Sequence, residues 1–324
     1  VLCAQDGHSM YGAGQLIYRA VICVALAGPV HASDSPSVRY LDGPEGVNVT
    51  ATAATADASF AIASVGKTMT SVAVLRQFAR GDLQLDDPAA DWFAPDIVDG
   101  FQGLEGVTLR HLLTMTSGLP DYYTDAYMED VLDDSDLQTP TTALSYAFDD
   151  EPLFAPGTEF DYSNTNYVLL GLVLEQVTGL TYAQALQREV FNPAGMSDSF
   201  VFGSRPLPTS FADTPHDVRA YYAGAGFGDG GVIATAQDVA RFYQALFIEQ
   251  TLLSPDLLSI MTHDPMNEGY GMGIEIDGPI VGHSGGDLGF SSDVRLHRAS
   301  GTIAVMVIAE EDADTSWTDD QMPD

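Results

Sequence analysis

Ser64 and Lys67 in the stretch "AIASVGKTMT" stand three residues apart, and that spacing admits two chemistries. Counted from Ala61, which takes the place of a first glycine, the stretch leads through four residues to Gly66, Lys67 and Thr68, an approximate phosphate-binding loop. Counted from Ser64 it is Ser-x-x-Lys, with a hydroxyl and an amine on one face of a helix start. A phosphate loop needs glycines that let successive N–H groups curl around phosphate oxygens. None precedes Gly66 here, and Val65 is β-branched and ill suited to positive φ. A serine hydroxyl, for its part, is a poor nucleophile until a base takes its proton. A desolvated lysine can be that base, and a helix N-terminus favours the negative charge that develops. The bland alternative is a capping serine beside a solvated lysine. Against it, Lys67 is the only lysine among 324 residues. Every other long basic side chain is arginine, which cannot release a proton at working pH.

Two further groupings could join this pair. In "FDYSNTNYVLLG", Tyr162 and Asn164 offer a phenol and an amide just before a helix. A phenol near an ammonium can have a lowered pKa and shuttle protons, and Asn164 can bond both Lys67 and a substrate amide. In "VGHSGGDLGFSS", residues Gly282 to Gly286 fit Gly-x-Ser-x-Gly, which would make Ser284 a nucleophile on an elbow. An elbow must be followed by a helix, then an acid and a histidine; the sequence after Gly286 is strand-like and only His297 follows. The better reading is an edge strand whose small residues let a substrate backbone approach.

The elements needed to position these groups can be traced along the chain. "KTMTSVAVLRQFARG" has helical spacing and stops at Gly81. "LQLDDPAADWFAPDIVDGF", broken by prolines and Gly100, predicts short turns and loops. "TLRHLLTMTSGLPDYY" predicts a short helix opened by Thr108 and ended near Gly118 and Pro120. Residues 121–151 read as acidic and exposed. "NYVLLGLVLEQVTG", closed by Gly179, and "TYAQALQREVFNPAG" predict two helices, and "TAQDVARFYQALF" a third with Thr235 as N-cap. From about residue 270 the texture turns to strands: "YGMGIEID", "IVGHSGG", "SSDVRLHR" and "TIAVMVIAE". The apolar run at residues 20–30 is either a strand or the h-region of a signal peptide cleaved after Ala32. A sheet built from both chain ends needs N-terminal strands, which favours the strand.

Together, "SFAIASVGKTMTSVAVLRQFARGDLQLDDP", "TLRHLLTMTSGLPDYY", "FAPGTEFDYSNTNYVLLGLVLEQVTGLTY", "FNPAGM", "GGVIATAQDVARF", "YGMGIEI" and "GHSGGDLGFSS" make the chain resemble the penicillin-recognising serine hydrolases over residues 59 to 310. It is most similar to the class C β-lactamase-like branch, with its D-Ala-D-Ala carboxypeptidases, D-amino-acid peptidases and family VIII carboxylesterases. The resemblance implies an α/β fold (α+β) of β-lactamase/transpeptidase type: an antiparallel sheet flanked by helices, formed by residues 1–80 and 225–324, with an inserted all-helical domain at 81–224 and the site between them. It implies Ser64 as the acylated nucleophile, Lys67 as its partner and Tyr162 as proton shuttle. Asn164 would bind the substrate amide, His283-Ser284-Gly285 would be the Lys-Thr-Gly strand motif in His-x-Gly form, and the backbone N–H groups of Ser64 and Gly286 would form the oxyanion hole. Three features depart from the pattern. His283 replaces a lysine, Met115 stands where "HTSGL" has histidine, and no helix is legible after Ala309. The first methionine is Met10, so both ends are expected to be truncated. The implied activity is that of a serine acyl-hydrolase without a cofactor, favouring short-chain esters. A D-Ala-D-Ala carboxypeptidase, a D-amino-acid peptidase or a weak β-lactamase stand as alternatives.

Composition bounds the rest. Apolar content of 45% and a mean hydropathy of +0.04 support a real core. Two cysteines, Cys3 and Cys23, suggest neither a disulfide framework nor a zinc site. Acidic residues number 46 against 12 basic ones, a net charge of −34 spread along the chain. Such a surface repels nucleic acid and anionic membranes; the resemblance implies a small-molecule ester, amide or peptide as partner. Residues 1–32 decide between a cytoplasmic location in a high-salt organism and export. The charge is read as adaptation to high salt, where screening removes self-repulsion, ahead of the alternative of a GC-rich genome that favours Arg and Asp codons. Helicity by circular dichroism and esterase activity should therefore both rise with molar KCl; a protein equally folded without salt would refute this reading.

Overall fold

A computed structural model describes residues 35–208 and 218–323. Its main sheet has six antiparallel strands in the order β2-β1-β9-β8-β7-β6. These are β1 (Ser37–Gly43), β2 (Gly46–Thr52), β6 (Glu275–Asp277), β7 (Ile280–Asp287), β8 (Phe290–His297) and β9 (Ile303–Ile308). A second antiparallel sheet joins β3 (Ser59–Ala61), β5 (Val232–Thr235) and β4 (Phe200–Val201) in the order β3-β5-β4. The sequence "IAVMVI" of β9 is buried at every position, as a strand covered on both faces must be. β2, at one edge, is exposed throughout.

The sheet does draw strands from both parts of the chain, as its β-rich ends require. The N-terminal pair seen is the hairpin β1–β2; the segment 20–34, expected to supply them, lies outside the described residues. Between the strands run α1 (Gly66–Arg80), α2 (Pro95–Gly100), α3 (Leu109–Leu113), α4 (Asp125–Asp133), α5 (Pro140–Ser145), α6 (Asn164–Thr178), α7 (Tyr182–Leu186), α8 (Asn192–Ala194), α9 (Arg219–Ala223), α10 (Ala236–Tyr243) and α11 (Pro255–Met261). Residues 121–151 are not the exposed stretch that their acidity suggested. Tyr122, Tyr127, Met128, Val131, Ala143 and Leu144 are buried, while the carboxylates of α4 lie on its other, exposed face. Nor is the span 81–224 helical throughout, since it contributes β4.

The central helix is α1, buried along most of its length and packed on α6. Gly81 ends it in a left-handed conformation at φ 81°, and Gly179 ends α6 at φ 66° in the same way. Thr235 caps α10 by accepting from the Asp238 N–H. Glu189, wholly buried, ties α1 to the helical segment after α7. It accepts from Arg76 at 3.1 Å, from Arg80 at 2.8 and 2.6 Å and from Arg188 at 2.7 Å. Burial opposes its ionisation, yet these three partners outweigh burial and hold the carboxyl at about 2.

The loop "GFGDGG" (226–231) threads between α6 and the start of α1. A Cβ on Gly228 would overlap the Tyr167 carbonyl oxygen and lie 3.0 Å from the Gly171 nitrogen. Gly228→Ala is expected to destabilise the protein by about 1–3 kcal/mol, read as a lower urea midpoint at fixed salt. An unchanged midpoint would contradict this close approach.

Candidate active site

The chain enters α1 through a single 3₁₀ turn, Ala63–Val65. Ala63 sits at φ +45°, an unusual conformation for a residue with a side chain, held by its surroundings. The Ile62 N–H donates to the Val232 carbonyl at 3.0 Å, and the Ile62 carbonyl accepts from Ser292 Oγ at 2.8 Å. β7 passes so close that a Cβ on Gly285 would come within 2.5 Å of both Ile62 O and Ser292 Oγ. Clamped on these sides, the turn leaves Ser64 half-buried while Ile62, Ala63, Val65 and Gly66 are buried.

Lys67 has no solvent exposure. Its Nζ donates to Ser64 Oγ at 2.9 Å, to Asn164 Oδ1 at 2.7 Å and to the Asp229 carbonyl at 2.5 Å. Desolvation lowers its pKa to about 8, against the opposing pull of the Asp229, Asp121 and Asp287 carboxylates. Asn164 is itself fixed. Its Nδ2 donates to Asp121 Oδ2 at 3.0 Å and its backbone N–H to Asp121 Oδ1 at 3.1 Å. The Asn164 side chain therefore relays between Lys67 and Asp121, with one amide hydrogen left for a further acceptor.

Tyr162 shares a hydrogen bond with the Ser64 hydroxyl, and its ring centroid lies 5.0 Å from Lys67 Nζ. The expectation of a lowered phenol pKa is corrected here: burial raises it well above its ordinary range. The phenol stays protonated in the resting site because a phenolate would be poorly solvated there. Of the two groups beside Ser64, only Lys67 is tuned toward neutral pH.

His283 is 1% exposed, and burial pulls it down to about 4, so its ring is neutral. Its Nδ1 lies 2.6 Å from the Ser284 carbonyl, which can only accept. Nδ1 thus carries the proton, and Nε2, 3.0 Å from the Tyr270 hydroxyl, accepts from it. Ser284 is exposed on the outer edge of β7. Its N–H and Oγ both donate to Glu275 Oε1, at 3.0 and 2.8 Å. That N–H points away from β8, and by the alternation of an antiparallel pair the Gly286 N–H, two residues on, points the same way. Pairing with β6 stops at Gly282, so Gly286 faces open space. Asp287 follows. Burial raises it to about 6 although Tyr123 donates to it at 3.1 Å.

The sequence-derived candidates Ser64, Lys67, Tyr162 and Asn164 thus form one hydrogen-bonded group, and Gly285 packs against the turn that carries Ser64. Met115 does not face the group. It sits at φ +57°, buried, with Sδ accepting from Asn166 Nδ2 at 3.3 Å. Sequence reasoning missed Asp121, Asp229, Tyr270 and Glu275. The glycine-rich "GFGDGG" was the available signal for Asp229, because only glycine permits the approach that brings its carbonyl to Lys67.

The family model described as Beta-lactamase matches residues 12–321. The chain is 30% identical over 274 residues to penicillin-binding protein 4* of Bacillus subtilis (strain 168), covering 72% of this chain and 56% of that one. It is 39% identical over 175 residues to esterase EstB of Burkholderia gladioli, covering 50% and 42%. To a beta-lactamase of Escherichia coli (strain K12) it is 30% identical over 190 residues, covering 57% and 47%. The chain spans about half the length of these curated relatives. Among solved structures it is similar to a D-stereospecific amidohydrolase from Streptomyces sp., with a TM-score of 0.74 and 26% identity over 88% of this chain and 92% of that one. A penicillin-binding protein from Bacillus halodurans gives 0.72 and 25%, over 85% and 91%.

If neutral Lys67 receives the Ser64 proton, kcat/KM for a p-nitrophenyl ester should rise with pH and level off above about 8. Asp229→Asn removes the foremost carboxylate that favours the ammonium while keeping its carbonyl. The inflection should then move to lower pH, and the ratio of activity at pH 6 to that at pH 9 should rise about threefold. An inflection that stays in place or moves upward would exclude Lys67 as the titrating base.

Proposed function

Because the chain belongs to the beta-lactamase family of serine hydrolases, we propose that it hydrolyses uncharged short-chain carboxylic esters through an acyl-enzyme on Ser64. The observation that carries this reading is the buried Lys67 amine, 2.9 Å from Ser64 Oγ and lowered to about 8, in a cleft whose strand histidine is neutral. At neutral pH roughly a tenth of such lysines are unprotonated, enough to act as a base. Neutral Lys67 takes the hydroxyl proton as Ser64 Oγ bonds to the ester carbonyl carbon. The N–H groups of Ser64 and Gly286 receive the oxyanion. Tyr162, protonated and bonded to Ser64, hands a proton to the departing alkoxide and is reprotonated from Lys67. Water then repeats the sequence on the acyl-enzyme, releasing the acid and restoring Ser64.

An ester demands little of the leaving-group side, which suits a site without a strand cation. Hydrolysis of a β-lactam or of a D-Ala-D-Ala terminus would bring a carboxylate into a cleft already lined by Asp121, Asp229, Asp287 and Glu275. The same carboxylates favour a second reading, hydrolysis of D-amino-acid amides, whose free ammonium they would attract. The likeness to a D-stereospecific amidohydrolase supports that reading.

Quenched reactions with p-nitrophenyl butyrate should show a butyryl adduct on Ser64 by intact mass and peptide mapping. Ser64→Ala should lose about 10³-fold or more in kcat/KM. Hydrolysis at the wild-type rate by that variant would sink the nucleophile assignment. A larger kcat/KM for D-alanine amide than for the butyrate would favour the second reading.

A further inference from the structure

Three donors converge on one carboxylate at the outer edge of β7, two residues from Gly286. The Ser284 N–H lies 3.0 Å and Ser284 Oγ 2.8 Å from Glu275 Oε1; His283 Nδ1 is 3.5 Å from the same oxygen but gives its proton to the Ser284 carbonyl. Arg295 NH1 donates to Oε2 at 2.6 Å. A strand N–H, a hydroxyl and a guanidinium around one carboxylate make an anion-binding position. Its occupant is a side chain of the protein itself. Glu275 is 30% exposed and Ser284 is exposed, so the position opens on the cleft and is not sealed in the core. Along the strand, Ser284 is two residues, or about 6.8 Å, from Gly286. A substrate with its scissile carbonyl at Gly286 and extended along β7 would therefore lay whatever it carries there against Ser284.

We infer that Glu275 is a specificity-determining residue: its carboxylate fills the anion position on β7 and so excludes substrates that carry a carboxylate there. This rests on Ser64 being the nucleophile and deepens the preference for uncharged substrates. The reason is more specific than overall charge. The donors that would recognise a substrate carboxylate are present and correctly aimed, but they are already bonded. An incoming carboxylate must displace Glu275 or lie beside it, and two carboxylates in one site repel. With Glu275 gone, Ser284 would have both donors free. Arg295 would keep Asp293 at 2.8 Å and Asp319 at 3.2 Å, and so would stay in place to offer NH1.

The test uses benzylpenicillin and its methyl ester, which differ only in the carboxylate, as inhibitors of p-nitrophenyl butyrate hydrolysis at fixed salt. The wild-type enzyme should be inhibited by the methyl ester at concentrations at least tenfold below those needed for the free acid. In Glu275→Ala that ratio should fall by tenfold or more in favour of the acid, and in Glu275→Gln, which keeps length and removes charge, it should fall severalfold. A ratio within twofold of wild type in both variants overturns the inference, as does failure of the free acid to inhibit either one. Loss of butyrate hydrolysis in both variants would make Glu275 a structural residue and also overturn it. Failure of the underlying reading looks different: Ser64→Ala would then still hydrolyse the butyrate.

Discussion

The burial of one amine beside one hydroxyl is the constraint on which the site depends. Lys67 must lose its water for its pKa to fall, yet an amine stripped of all partners would not remain in place. The structure resolves this with three acceptors, Ser64 Oγ, Asn164 Oδ1 and the Asp229 carbonyl, none of which is itself a charge. The carboxylates stand one step back. Asp121 holds Asn164, and Asp229 offers Lys67 its backbone oxygen while Tyr122 donates to its side chain at 2.7 Å. Placed directly on the amine, either carboxylate would keep it an ammonium. Held one bond away, they limit how far it falls.

That arrangement explains features of the fold that otherwise look unrelated. A carbonyl can reach Lys67 from the 226–231 loop only if Gly228 lies against α6 and Gly230 against Ala63, and in each case a side chain would collide or crowd. Ser64 can face the cleft only if the turn before it is forced into a positive φ at Ala63, and β5, β7 and β8 together hold it there. Glu189 serves the same end from the far side of α1, because its three arginines keep the helix that carries Lys67 seated against its neighbours.

The chemistry-bearing residues were legible in the sequence because their types are nearly irreplaceable. Neither a sole lysine three residues after a serine nor Tyr-x-Asn ahead of an apolar helix is decisive alone, but their joint presence pointed to the group that meets around Lys67. Helix ends were legible too, where glycine stops α1 and α6. What escaped notice acts through the backbone or through long-range contact. Asp229 matters first for its carbonyl, which any residue has, and Glu275 meets Ser284 only because β6 folds back on β7. The acidity of 121–151 misled, since α4 buries one face and exposes its carboxylates on the other. The His283 protonation state was also beyond the sequence, because it depends on Tyr270 and on burial.

The scarcity of basic residues then acquires a functional meaning. Arg76, Arg80 and Arg188 converge on Glu189, Arg295 on Glu275, Asp293 and Asp319, Arg110 on Asp86, and Arg241 on Asp238. Arg298 donates to the carbonyls of Gly278 and Pro279. These cations are engaged in holding the fold. Among the described residues the one cation bonded to Ser64 is Lys67, and in the proposed reaction it must shed its charge in order to act. In that reaction the cleft keeps Asp121, Asp229 and Glu275 around it, and among the described residues no cation other than Lys67 bonds the Ser64 group. Salt screens the long-range field of a protein with a net charge of −34, but it weakens a contact at hydrogen-bond distance far less. Discrimination against anionic substrates should thus persist at salt concentrations that erase the long-range field, because it is set at bonding distance by Glu275 on Ser284.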